Sequence, residues 1–298
     1  MQKRNPSKSP SGGMRKGSDA GGLAGGLYLV ATPLGNARDI TLRALDVLGQ
    51  ADVLAAEDTR TLRRLLEIHG VPLEGRRIIA YHDHSGPRDR DAVRAALTKG
   101  IAVAYASEAG TPLVADPGYQ LVQDAVADGI DVVPVPGPSA MVAALTVAGL
   151  PSDRFTFLGF PPAQASARSR LFDEVKALKG TLIFYESPKR LARTLAEAAR
   201  ALGRDRPAAV CRELTKKFEE TRRSTLGTLA DDYAEAAPKG EIVLLIGAGE
   251  DTADPAQIEA ALRAAMATQK LKDAAREVAD TYGVSRRDLY QLGLTFDG

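Results

Sequence analysis

The sequence predicts an α/β protein in three parts: a mostly parallel sheet wrapped by helices, an α+β domain after it, and a small helical appendage. Three observations predict this. From residue 27 short runs rich in Val and Ile alternate with helical patterns, the rhythm changes at "TVAGLPSDRF" (146–155), and after "DTADPAQ" (251–257) only helical pattern remains. Strand–helix–strand alternation with short loops implies parallel strands joined by crossover helices on both faces.

Residues 1–26 are rich in Pro, Ser, Gly, Lys and Arg and lack the apolar centre of a secretory leader, so they read as a disordered basic tail. The N-terminal domain is placed at 27–150. Its strands are "LYLVATP", "ADVLAAE", "RRIIAYH", "IAVAYAS" and "DVVPVPG", and "TLRALDVLGQ", "TRTLRRLLEIHG", "RDAVRAALTKG" and "YQLVQDAVADG" are the helices between them. A helix ends at Gly149, and Pro151 prevents its continuation. The C-terminal domain is placed at 151–249. "FTFLGF", "GTLIFYES", "PAAVCREL" and "GEIVLLIGAG" are its strands, helices are expected around 165–178 and 188–202, and "RRSTLGTL" suggests a short strand near 223–229. In the appendage at 250–298, Ala274, Ala275, Val278, Ala279 and Val284 share one apolar face. Gly283 breaks the helix, Ser285 can cap the next and Leu289 continues the core, a helix-turn-helix-like pattern.

Composition narrows the class. With 298 residues, 44% hydrophobic and 26% charged, the chain suits two globular domains and a small third. No apolar run approaches the ~20 residues of a membrane span, so no membrane partner is expected. The single cysteine, Cys211, rules out a disulfide framework and suits a reducing cytoplasm; set in an apolar strand, it reads as packing. The net charge of +1 hides an uneven layout: +4 over 1–26, −4 over 27–150, +7 over 151–223 and −6 over 224–298. The basic stretch can attract a polyanion, or it is a solvated face.

Three strands of the first half end in loops of small residues: "TPLGN" (32–36), "SEAGTP" (107–112) and "PGPSA" (136–140). In a parallel sheet, ligands bind beyond the carboxyl ends of the strands, so three such loops can converge on one crevice. No strand is followed by G-x-x-x-x-G-K-[ST] or G-x-G-x-x-G, which argues against a triphosphate. An acid, Glu108, stands beside the central glycine and suits a ligand with hydroxyls or positive charge. S-adenosylmethionine has both.

"YLVATPLGNARDIT", "AAEDTR", "SEAGTPLVADPG", "VPGPSA", "GLPSDRF", "TLIFYESPKR", "CRELTK" and "KGEIVLLI", in this order, resemble the tetrapyrrole-methylase (class III methyltransferase) family. Within it, the resemblance is to the branch that methylates ribosomal RNA of the small subunit. It implies methyl transfer from S-adenosylmethionine to the ribose 2′-hydroxyl of a cytidine in 16S rRNA, by a homodimer holding the cofactor between its two domains. Where the family usually has Asp, this chain has Glu108, one methylene longer. By position the resemblance gives Leu34, Glu108, Thr111, Ser139 and Ala140 as cofactor contacts, with Tyr185, Leu214 and Gly240 from the second domain.

A ribose hydroxyl is a poor nucleophile at neutral pH, so a nearby base helps. The candidates are Glu57, Asp58 and Glu186; the competing reading for each is a salt bridge, with Arg60, Arg190 or Arg212. RNA is expected to meet Arg168, Arg170, Lys189, Arg190, Lys216, Lys217, Arg222 and Arg223 through its phosphates. "YHDHS" (81–85) places His82 and His84 on one strand face, but with three histidines in the chain and no companion ligands no metal is expected. Two rival functions remain: methylation of a precorrin or uroporphyrinogen, and a non-catalytic RNA-binding ribosome-assembly factor.

Overall fold

The computed structural model describes residues 22–82, 85–115, 118–235, 238–248, 255–282 and 284–296. The predicted tail up to residue 21, His84, most of the acidic linker before Pro255, and Gly283 lie outside these residues.

The chain divides into two compact units, one ending at Ser139 and one beginning at Ala140. In the first, β1 (Gly26–Val30), β2 (Val53–Ala56), β3 (Ile78–Ala80), β4 (Ala102–Ala106) and β5 (Val132–Val135) form an all-parallel sheet in the order β3-β2-β4-β1-β5. The period-two alternation of the strands sorts the helices. Tyr28, Val30, Leu54 and Ala104 face Val47 and Leu48 of α1 (Leu42–Gln50) and Leu62 and Leu66 of α2 (Thr59–Ile68). Leu27, Ala55, Val103 and Tyr105 face Val93 and Leu97 of α3 (Pro87–Thr98) and Leu121 and Ala125 of α4 (Tyr119–Ala127). The chain leaving β1 and β2 therefore turns to one face, and the chain leaving β4 turns to the other. Where those directions part, the carboxyl edge of a parallel sheet opens a crevice. Side-chain caps set two helix starts: Thr41 accepts from Ala44 N–H, and Asp58 from Arg60 and Thr61 N–H.

The second unit opens with α5 (Ala140–Val147), so the contacts divide before this helix and not at 150 as the Gly149–Pro151 turn suggested. The reason is burial. α5 is apolar along its length and seats Ala144 and Leu145 among Ile183, Ala209, Val243 and Leu245 of the second sheet. That sheet runs β6-β7-β10-β8-β9, from β6 (Phe155–Phe157), β7 (Thr181–Glu186), β8 (Pro207–Arg212), β9 (Glu220–Thr225) and β10 (Ile242–Ile246); only β6 and β7 pair in parallel. Its other face is covered by α6 (Ala165–Val175), α7 (Leu191–Leu202) and α8 (Leu226–Ala234) around Phe172, Phe184, Leu195 and Leu229. The strand expected near 223–229 lies earlier, at 220–225. Thr225 accepts a hydrogen bond from Thr228 N–H at 3.2 Å and starts a helix whose Leu226, Leu229, Ala230 and Tyr233 are buried. In the appendage α9 (Pro255–Met266), α10 (Leu271–Tyr282) and α11 (Arg286–Leu294) pack around Leu262, Ala274, Ala275, Val278 and Leu289, with Ser285 capping α11.

Candidate active site

The three small-residue loops meet at the carboxyl edge of the first sheet. Thr32, after β1, and Gly110, after β4, exchange backbone hydrogen bonds of 2.9 Å in both directions. Buried Ser107 donates its hydroxyl to Gly110 O at 2.6 Å, and Thr32 Oγ1 donates to Ser107 O at 3.2 Å. The third loop is tied in by Thr111, whose hydroxyl donates to Pro138 O at 2.9 Å. Two glycines are required here. Gly110 has φ +82°, and a Cβ on it would lie 3.2 Å from Leu34 Cδ2; a Cβ on Gly137 would lie 3.0 Å from Ala31 Cβ. Leu34, Thr111 and Ser139 thus belong to one knot, with exposed Glu108 at its rim. Thr32 and Ser107, which lock the knot, escaped the sequence reading. Their signal was weak: a hydroxyl residue directly after an apolar strand.

The candidate bases separate. Asp58 is a helix cap, and the Arg60 guanidinium with the N–H groups of Arg60 and Thr61 holds its carboxyl down at about 2. A carboxylate that acidic is a poor proton acceptor at neutral pH. Glu186 is 2% exposed; it accepts from Thr194 Oγ1 and Ser187 N–H and lies 3.3 Å from Arg190 Nε. It is a structural carboxylate, so the salt-bridge reading holds for both. Glu57 remains. It follows β2 at the crevice edge, and its Oε2 lies 3.4 Å from Glu108 N–H.

In the second unit, Ala140, Tyr185 and Leu214 pack on one apolar cluster. Gly240 has φ +95° and abuts Glu213, whose carboxylate accepts from Glu241 N–H at 3.0 Å and from Lys216 at 3.1 Å. The Glu241 N–H, then Lys216, lower the Glu213 carboxyl below the usual range. Glu213 and Thr215 flank Leu214 with φ of +52° and +65°, strained for residues other than glycine. Cys211 is fully buried, and burial pushes its thiol up.

The basic set needs correcting. Arg168 is 1% exposed, pairs with Glu197 at 2.6 Å and donates to Pro162 O and Ala163 O, so it is a brace inside the fold and not a phosphate contact. Arg190 donates to Pro161 O and faces Glu186. Lys216 pairs with Glu213 and with Glu241 at 2.9 Å, Arg222 with Asp232 at 2.8 Å, and Arg223 donates to Val147 O. Arg170, Lys189 and Lys217 are exposed. Backbone N–H of His82 donates to Ser85 Oγ, and no group of three metal-ligating side chains occurs among the described residues.

A parallel sheet with three knotted loops at its carboxyl edge, followed by a mixed sheet, defines a class. The family of Tetrapyrrole (Corrin/Porphyrin) Methylases matches residues 26–230. The fold is that of CobJ, a methyltransferase (TM-score 0.59, 19% identity, 75% of this chain and 94% of the other). It is also that of uroporphyrin-III C-methyltransferase from Thermus thermophilus complexed with S-adenyl homocysteine (TM-score 0.52, 21% identity, 75% and 97%). Residues 252–296 match the RsmI C-terminal HTH domain. The chain belongs to the ribosomal RNA small subunit methyltransferase I family, which uses S-adenosylmethionine. Proteins of that name from Mesorhizobium japonicum (51% identity, 89% of this chain and 90% of the relative) and Escherichia coli O157:H7 (40%, 96% and 100%) are similar to it.

The first unit's residues fit that cofactor. Ser139 Oγ is a buried hydroxyl with no hydrogen-bond partner, the kind of atom a ligand satisfies. Gly110 keeps the loop surface free of a side chain, and the Glu108 carboxylate suits ribose hydroxyls or a cationic group.

Proposed function

We propose that this protein transfers a methyl group from S-adenosylmethionine to the ribose 2′-hydroxyl of a cytidine in 16S rRNA of the small ribosomal subunit, in the cytoplasm and as a homodimer. The observation that carries the reading is identity of 51% over nine-tenths of both chains with a relative of that name. Among the described residues no helix is long and apolar enough to cross a membrane.

The cofactor supplies an activated methyl group, so the protein's contribution is alignment. Holding two reactants in line contributes on the order of 7–11 kcal/mol to lowering a barrier. Leu34, Thr111 and Ser139 hold the cofactor in the knotted loops, and Glu108 takes its hydroxyls. Ala140, Tyr185, Leu214 and Gly240 are the second unit's contribution. Glu57, which follows β2 and accepts from Glu108 N–H, is the group proposed to receive the hydroxyl proton. Arg170, Lys189 and Lys217 meet RNA phosphates.

The test is transfer of labelled methyl from S-adenosylmethionine to small subunits isolated from cells lacking the enzyme. Incorporation into small but not large subunits supports the reading. Transfer only to uroporphyrinogen or a precorrin would move the protein to the tetrapyrrole branch. RNA binding without transfer would make it an assembly factor. Light scattering at twice the monomer mass supports the homodimer; the monomer mass refutes it.

A further inference from the structure

The turn after β6 holds an aromatic ring that the proposed reaction does not yet use. Past the end of β6 the chain stays bonded alongside β7: Leu158 N–H donates to Ile183 O at 2.9 Å, and Tyr185 N–H donates to Gly159 O at 3.0 Å. Gly159, with φ +64°, then turns the chain, and Phe160 is 54% exposed. One exposed ring is ordinary on a protein surface. This one is distinguished by what holds it. Its ring stands edge-on to Tyr185 at 5.7 Å, and Tyr185 stands edge-on to Phe157 at 4.8 Å.

The three carbonyls that follow are gripped by two guanidinium groups. Arg168 donates to Pro162 O at 2.9 Å and to Ala163 O at 3.0 Å; Arg190 donates to Pro161 O. Behind them, Glu197 lies 2.6 Å from Arg168 and Glu186 lies 3.3 Å from Arg190, so each guanidinium faces a carboxylate. Charge-assisted bonds to successive carbonyls, in a turn already stiffened by two prolines, fix the ring before any ligand arrives. Arg168, Arg190 and Glu186, which the sequence offered for RNA or for catalysis, thus act together to mount Phe160.

We propose that Phe160 is the platform on which an unstacked nucleobase of the RNA substrate packs, so that its ribose is presented to the methyl donor. This rests on the RNA methylation reading. An aromatic face stacks on any base, and single-stranded sites combine such faces with positive charge. The charge is at hand. Residues 151–223 carry +7, and exposed Lys189 sits in the turn whose Arg190 grips the Phe160 loop. Tyr185, proposed above for the cofactor, is the ring's immediate neighbour within the second unit.

The test compares Phe160→Ala, Phe160→Leu, Phe160→Tyr and, as a control on the first unit, Tyr119→Ala, whose ring is 66% exposed. Each variant is measured for its Kd for S-adenosylmethionine and for KM and kcat on small subunits lacking the methyl group. The ring's loss should raise KM for the subunits by about five- to one-hundred-fold, the worth of one base–aromatic stack. The cofactor Kd should stay within about twofold, which also reports an intact fold. Phe160→Tyr should restore KM, because it keeps the π face. Phe160→Leu should not, because it keeps only apolar bulk. Wild-type KM in both Phe160→Ala and Phe160→Leu would overturn the inference and leave RNA methylation standing. If the wild-type enzyme transfers no methyl group to subunits, the RNA reading falls and this inference falls with it.

Discussion

Replacing Gly110 with alanine perturbs the crevice at its knot, and the size of the effect follows from the backbone. Gly110 sits at φ +82°, where an L-residue is disfavoured by about 1–2 kcal/mol. The new methyl would lie 3.2 Å from Leu34 Cδ2 and 3.7 Å from Pro138 O. The leucine can yield a few tenths of an ångström, so the dihedral strain dominates. The loop cannot relax freely, because both peptide groups of the Thr32–Gly110 bridge are engaged and Ser107 holds the same carbonyl. The strain must therefore surface in one of two places. If the loop stays in register, the variant loses about 1–2 kcal/mol of stability, a melting shift of roughly 2–4 °C per kcal/mol. If it slips, the conformation must be restored on binding, and the affinity for S-adenosylmethionine falls about five- to thirtyfold. Thermal melting with and without cofactor, together with calorimetric titration, reads both. A variant with unchanged melting temperature and unchanged affinity would refute the argument that this glycine shapes the cofactor loop.

Other predictions follow from the corrected residue roles. Asp58→Ala should lose about 1 kcal/mol of stability as a missing helix cap while keeping kcat within about twofold; removal of a general base would lower kcat by about 10²–10⁴. Because the Asp58 carboxyl is held at about 2, below its ordinary range, its ionised form stabilises the fold above about pH 4 and that contribution fades as pH falls toward 2. The stability gap between wild type and variant should close over that window in acid unfolding curves. Arg168→Met should cost about 3–5 kcal/mol by leaving Glu197 unpaired, read by denaturant unfolding, with Arg168→Met/Glu197→Leu recovering part of the loss. Lys189→Glu with Lys217→Glu should flatten the plot of log affinity against log salt for RNA by about 1.4, two phosphate contacts at roughly 0.7 each. An unchanged slope would remove both lysines from the interface.

How far the sequence could lead is seen by comparing particular residues. The crevice was legible because its signals are local: Gly and Pro directly after apolar strands mark each loop, and parallel topology obliges the loops to share an edge. Arg168 misled for the opposite reason. Its partners are Glu197, one helix away, and two carbonyls of a turn, and nothing in "SARSR" distinguishes a buried arginine from a solvated one. Glu186 likewise becomes structural only through Thr194 and Arg190, which the start of α7 brings back to it. The strand near 223–229 failed at a cap: "RRST" pairs with β8, but Thr225 then begins a helix, and one residue serves as both strand end and N-cap. The boundary at 150 failed because a Gly–Pro turn marks where the chain bends, whereas a unit is set by where an apolar helix is buried.

The central claim is the position of the methyl group, and alkaline cleavage of 16S rRNA tests it most directly. Small subunits from cells lacking the enzyme would be incubated with the protein and S-adenosylmethionine, and their rRNA then hydrolysed in alkali and mapped by primer extension. A 2′-O-methyl group blocks cleavage of the adjacent phosphodiester, so the account predicts one new alkali-resistant linkage, 3′ to a cytidine. Incorporated methyl with an unchanged cleavage ladder would place the group on a base and contradict ribose methylation.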